Sequence, residues 1–222
     1  MPARTIGTLY YVRDDGTPGY CTATVITAEN QSTIWTAGHC VHGGGGRGWF
    51  SQFLFEPDHH DGQAPYGEWE WLTAATTQGW MDGDYDYDIG AIALFPNSLG
   101  DIANVTGSQG YMFGQGRAWL VTFFGYPQAG VPARPEFTGE QLFYCFGQTD
   151  QKSVIDDRMV MDCDMHSGAS GGPWIYDLQS SRGWGYIVGA FSGRNSCLCD
   201  SEAISAYHGD AAISVYNAVR NV

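Results

Sequence analysis

Basic side chains are scarce in this chain. Only 10 of its 222 residues are Lys or Arg, against 24 Asp or Glu, which gives a formal net charge of −14. Nucleic-acid binding needs clustered cations to neutralise phosphates, and no run of five basic residues occurs. No nucleic-acid partner is therefore expected, and the acidity reads as solubility outside the cell. Long apolar runs are missing as well. A membrane-crossing helix takes about 18 or more consecutive apolar residues, and none exists, so no membrane partner is expected. The opening Met1-Pro2-Ala3-Arg4-Thr5 holds no apolar leader either. If the protein is exported, a signal and a propeptide ending near Arg4 have been removed and Met1 is an addition.

Against these absences stand 43% hydrophobic residues, 31 Gly, 13 Tyr, 11 Phe and 8 Trp. The mix suits short aromatic strands joined by tight glycine turns. Runs of this type recur at residues 6–12, 21–26, 33–36, 50–55, 69–73, 89–95, 118–124, 141–146, 159–163, 172–176 and 185–191. Gly, Asp, Asn or Pro separates them, the pattern of an all-β sandwich or barrel. Only residues 210–222 read as helix, with Ile213, Tyr216, Val219 and Arg220 at helical spacing and Asp210 placed to cap the start. A Gly/Asn/Ser-rich passage over 96–116 marks a midpoint, and predicts one unit over 1–105 and another over 106–222.

Three segments carry chemistry: Thr36-Ala37-Gly38-His39-Cys40, Asp86-Tyr87-Asp88-Ile89-Gly90 and Gly168-Ala169-Ser170-Gly171-Gly172-Pro173. A serine hydroxyl is a weak nucleophile at neutral pH and needs a neighbouring base, which in turn needs a group to fix its tautomer. Ser170 is the candidate nucleophile and His39 the base. Asp88 is the orienter, ranked ahead of Asp86 because an apolar strand follows it directly. The glycines around Ser170 let the chain turn so that the amides of Gly168 and Ser170 face one oxygen, as an oxyanion hole requires. Asp82 and Asp84 alternate with Asp86 and Asp88, but the glycine of a calcium-binding EF-hand loop is absent from the required position, and a solvated acidic loop is the simpler reading.

The three segments and their His–Asp–Ser order resemble those of the chymotrypsin-fold serine peptidases. The likeness is closer to the secreted microbial branches related to glutamyl endopeptidases, through Thr5–Tyr11, Cys21–Ile26, Phe124-Gly125-Tyr126-Pro127 and Cys163-Asp164-Met165. It implies two six-stranded antiparallel β-barrels with the triad in the cleft between them and a C-terminal helix. It also implies a secreted serine endopeptidase acting on protein or peptide through an acyl-enzyme, with no cofactor and no metal. A monomer is expected. Trypsins carry an aspartate before the nucleophile that pairs with a new amino terminus; here that residue is Ala169, so that activation device is absent.

By the same resemblance Asp164 stands at the base of the specificity pocket, which would favour Arg or Lys before the cut. Phe191, Ser192 and Arg194 would line that pocket. Phe191 replaces the histidine of glutamyl endopeptidases, while Arg194 could neutralise Asp164, narrow the entrance or meet an acidic side chain. The six cysteines allow three disulfides in an oxidising compartment. The resemblance pairs Cys21 with Cys40; Cys145 and Cys163 fall on candidate adjacent strands. Cys197 and Cys199 remain, to pair in a strained Cys-x-Cys bridge, stay free, bind metal or cross-link chains. His59, His60 and His208 are too distant in sequence to suggest a zinc site. Two other readings of the chain are a catalytically silent peptidase-fold binding protein, although no triad residue is missing, and an esterase using the same triad.

Overall fold

The computed structural model describes residues 2–128, 134–194 and 202–222. Strand β1 (Ile6–Val12) pairs antiparallel with both β2 (Pro18–Ile26) and β4 (Ser51–Pro57). This double pairing closes a barrel of six strands in the order β1-β2-β3-β6-β5-β4, completed by β3 (Thr33–Thr36), β5 (Trp69–Thr76) and β6 (Gly90–Leu94). Closure leaves no unpaired edge. The inward alternate positions of these strands place Leu9, Val25, Ile34, Phe53, Phe55, Trp69 and Ile92 in one buried core. Each such side chain contributes about 2 kcal/mol of burial, enough to hold strands as short as β3 in register.

The second half departs from a six-stranded barrel. It is an eight-stranded curled sheet with the path β10-β11-β14-β13-β12-β8-β9, and β7 pairs with β13 off that path. These strands are β7 (Gly110–Tyr111), β8 (Leu120–Gly125), β9 (Phe143–Gln148), β10 (Asp150–Ser153), β11 (Asp156–Asp162), β12 (Pro173–Gln179), β13 (Trp184–Arg194) and β14 (Glu202–Ser205). Among the described residues no hydrogen-bonded ladder joins β9 to β11, although they pack together. The Cys145–Cys163 disulfide crosses that seam from β9 to the end of β11. Val121, Phe123, Met159, Met161, Trp174 and Val188 fill the interior.

All the strands expected from the sequence form. The three that the sequence does not announce are β7, β10 and β14. β7 is two residues long, β14 is four, and β10 reads Asp-Gln-Lys-Ser with no apolar face to give it a period.

The terminal helix, here α3 (Asp210–Val219), buries Ala212, Val215, Tyr216 and Val219, whereas Ile213 is exposed. Gly209 is its N-cap and makes no side-chain cap; Asp210 sits in the first turn rather than at the cap. The helix shares a core with Ile26, Trp35, Ile89 and Ala91 of the barrel and with Ile187 and Ala190 of β13, so it stitches the halves together. Two shorter helices, α1 (Gln78–Met81) and α2 (Ile102–Thr106), were not expected. α2 runs across position 105/106 and packs on β2. Among the described residues no helix is long and apolar enough to cross a membrane.

Candidate active site

β3 ends at Thr36, and extended Ala37 leads into a tight 3-10 turn at Gly38–Cys40. Cys40 is bridged to Cys21 on β2, which fixes the backbone of His39 from its C-terminal side. Asp88 arrives from the opposite direction, after the turn Tyr85–Tyr87 and just ahead of β6. Thr77 Oγ1 donates to Tyr87 O at 2.6 Å and Thr76 Oγ1 to Ile89 O at 2.7 Å, which hold the chain on both sides of it.

The Asp88 carboxylate is 1% exposed. Its Oδ1 accepts from the His39 amide at 2.7 Å, and its Oδ2 pairs with His39 Nδ1 at 2.7 Å. The Ser192 hydroxyl also donates to Oδ2. Three donors satisfy a carboxylate whose burial would otherwise be costly. With Nδ1 held as the donor, the neutral His39 ring keeps its lone pair on Nε2. Burial pushes the His39 pKa down, but the Asp88 charge and hydrogen bond outweigh this and hold it above its ordinary value.

Ser170 sits on a turn built by glycines with left-handed backbones, Gly168 at φ 91° and Gly171 at φ 78°. A Cβ on Gly168 would strike the Tyr126 carbonyl, and one on Gly171 would strike Thr36 Oγ1 and the Thr22 carbonyl, so neither position admits a side chain. Thr22 pins the turn: its amide donates to Ser170 O at 2.7 Å and its hydroxyl to Gly168 O at 2.9 Å. The amides of Ala169, Gly171 and Gly172 all donate to backbone carbonyls. Those of Gly168 and Ser170 have no acceptor among the described residues. Gly168, Ser170 and His39 line one cleft of about 530 Å³ between the two halves. Ser170 Oγ makes no hydrogen bond among the described residues.

The remaining candidates separate. Asp86 pairs with Arg158 Nε of β11 at 3.1 Å and does not reach His39. Asp82 accepts from Gln78 at 2.9 Å and Asp84 from the Asp86 amide at 3.0 Å, both local turn contacts. Asp164 is half exposed and ion-paired with Arg134. Arg194 donates to the carbonyls on either side of Asp164, Cys163 O at 2.9 Å and Met165 O at 2.8 Å. Phe191 is buried and stacks on Phe123 at 5.2 Å, a place in the core. Ser192, expected at the substrate, spends its hydroxyl on Asp88; the two are 104 residues apart, and nothing local announces the contact.

Both expected disulfides, Cys21–Cys40 and Cys145–Cys163, are present. Their sulfurs are therefore not thiolate ligands, although they gather near His39 and Asp164 respectively. Cys197 and Cys199 lie outside the described residues. His59 is held between Glu56 Oε2 at 2.7 Å and Glu140 Oε2 at 3.2 Å, and His208 accepts from Trp35 Nε1 at 2.9 Å.

No protein-family model matches the chain. The glutamyl endopeptidase of Bacillus licheniformis is 30% identical over 168 residues, which is 74% of this chain and 47% of that protein. The chain thus spans about half the length of this curated relative. The crystal structure of the protease Anisep from Arthrobacter nicotinovorans matches with a TM-score of 0.89 at 29% identity, over 100% of this chain and 97% of that one. The thermostable serine protease AL20, from an extremophilic microorganism, matches with a TM-score of 0.88 at 26% identity, over 99% and 98%. By fold and by these likenesses, the chain is similar to serine proteases of the chymotrypsin fold.

Proposed function

We propose that the protein is an extracellular serine endopeptidase. The observation that carries this reading is the Asp88–His39 pair at 2.7 Å in the same cleft as Ser170. His39 Nε2 takes the Ser170 proton as Oγ attacks a peptide carbonyl. The resulting oxyanion lies on the amides of Gly168 and Ser170, whose lack of any acceptor among the described residues leaves both donors free for it. Asp88 stabilises the imidazolium, which then passes its proton to the leaving amine. Water attacks the acyl-enzyme in a second, mirror-image step and releases the acid. The disulfides support an oxidising compartment.

For the residue before the cut, a preference for Arg or Lys rests on Asp164 alone, and that carboxylate already holds Arg134. Arg194, anchored on the carbonyls of Cys163 and Met165, brings a second guanidinium to the same segment. An Asp164 carboxylate already bound by Arg134, which also holds Glu136, is a poor partner for a basic side chain, and we assign an acidic one instead. The name of the relative from Bacillus licheniformis agrees with that choice.

A fluorophosphonate probe tests the core of the reading. The wild-type protein labels covalently and Ser170→Ala does not. Equal labelling of both would remove Ser170 from the mechanism, and labelling of neither would favour a catalytically silent fold.

A further inference from the structure

We propose that the cleft on the His39 flank of Ser170 is a leaving-side subsite that takes an acidic residue among the first three after the cut, through Arg13. The inference rests on the endopeptidase reading above and adds to it the chemistry of the substrate beyond the scissile bond.

Which side of the bond this cleft serves follows from the proton transfer. The imidazolium of His39 must reach the nitrogen that departs, so the departing segment runs along the flank that His39 lines. The cleft contains His39, Ser170 and Gly168 together with the β1–β2 hairpin, and none of residues 191–194 or Asp164 borders it. The side chain before the cut is read on that other strand, so the two halves of a substrate have separate walls.

The charge of the wall is unlike that of the molecule. Across a chain of net charge −14, Arg13 is the single Arg or Lys among the described residues bordering this cleft, and no Asp or Glu among them borders it. Its guanidinium is held at the hairpin tip by Nη1, which donates to the Pro18 carbonyl and to Thr17 Oγ1. The group also lies 5.6 Å from the Tyr11 ring. The two neighbouring acids are engaged elsewhere, Asp15 within its own turn and Asp14 on the loop at Gly48. Asp15 Oδ1 accepts from Thr17 N at 2.9 Å and Thr17 Oγ1 at 2.6 Å, and Asp14 Oδ2 accepts from Gly48 N at 2.7 Å. Tyr10 and Tyr20 form the wall between Arg13 and the nucleophile, with ring centroids 5.7 Å apart. Behind Tyr10 lie Glu56 and Glu140, which share His59. A carboxylate entering the cleft therefore meets one positioned cation, an aromatic wall of low polarity and no facing carboxylate, whereas a lysine there meets the same cation and no lining carboxylate to pair with.

The test uses peptide libraries randomised before the cut, with Glu, Gln or Lys fixed at each of the first three positions after it. The wild-type protein should cleave the best Glu set about tenfold faster in kcat/KM than the matching Lys set, the scale of one charge-assisted contact at a partly exposed site. Arg13→Gln should bring that ratio close to one, Arg13→Glu should invert it, and Arg13→Lys should keep much of it. Retention by the lysine variant distinguishes loss of charge from misfolding of the hairpin. A wild-type protein that labels at Ser170 yet shows equal rates for Glu and Lys overturns this inference and leaves the peptidase reading intact. An unchanged ratio in Arg13→Gln overturns it in the same way. Failure of Ser170 to label overturns both.

Discussion

His208 is buried between the two halves with both ring nitrogens engaged. Nε2 accepts from the Trp35 indole at 2.9 Å and Nδ1 pairs with the Ala206 carbonyl at 3.0 Å, so the ring must be neutral to serve both. Burial pushes its pKa down from 6.5 to about 4, against smaller upward pulls from the Ala206 carbonyl and the Asp88 charge. The sign of the consequence is definite. Below pH 6.5 the unfolded chain binds a proton at this histidine that the folded chain refuses, so stability falls with pH from about 6.5 to about 4 and then levels off. The shift is worth about 3 kcal/mol in all. Urea unfolding at pH 7.5 and pH 4.5 measures it. His208→Gln, whose amide oxygen can still accept from Trp35, should lose most of that difference. Parallel pH profiles for the two proteins would mean that other groups govern acid unfolding.

The two described disulfides close loops of almost the same length, with separations of 19 and 18 residues. Chain entropy alone therefore assigns each about 3 kcal/mol, but they secure different elements. Cys21–Cys40 ties β2 to the turn that carries His39, whereas Cys145–Cys163 crosses the open seam between β9 and β11. Replacing either pair by alanines should lower the urea midpoint by a similar amount. Well below the unfolding transition, peptide cleavage should drop only when Cys21–Cys40 is lost. Equal losses of activity would show that the seam, too, controls the cleft. The same contrast shows what the sequence made legible. The strands with apolar alternation and the motifs around His39, Asp88 and Ser170 are local patterns, readable from neighbouring residues. Cross-chain contacts are not: the Ser192 hydroxyl on Asp88, the Arg134–Asp164 pair and the Arg158–Asp86 pair each depend on how distant segments fold back. Polar β10 and two-residue β7 were hidden for a different reason, since neither has a buried face of its own to leave a period.

At the scale of the whole molecule, two electrostatic effects oppose each other. Arg117, Arg134, Lys152, Arg158 and Arg220 are all ion-paired, and salt weakens such pairs. Most are partly exposed and contribute about 0–1 kcal/mol each. The firmest is the Asp156 carboxylate, gripped by Arg158 at 2.7 Å and Lys152 at 2.7 Å, which hold its pKa far below the usual range. Against them, the chain as a whole holds 24 acidic residues and 10 basic ones. Their mutual repulsion destabilises the folded state, and it extends over distances that a Debye length of about 10 Å at 0.1 M salt cuts off. Repulsion spread over many acids should outweigh a handful of exposed pairs. Thermal unfolding at pH 7.5 should therefore move to higher temperature as NaCl rises from low millimolar to a few hundred millimolar. A melting temperature that falls over the same range would show that the Lys152–Asp156–Arg158–Asp86 network dominates the balance. Asp156→Asn would then remove most of the salt dependence.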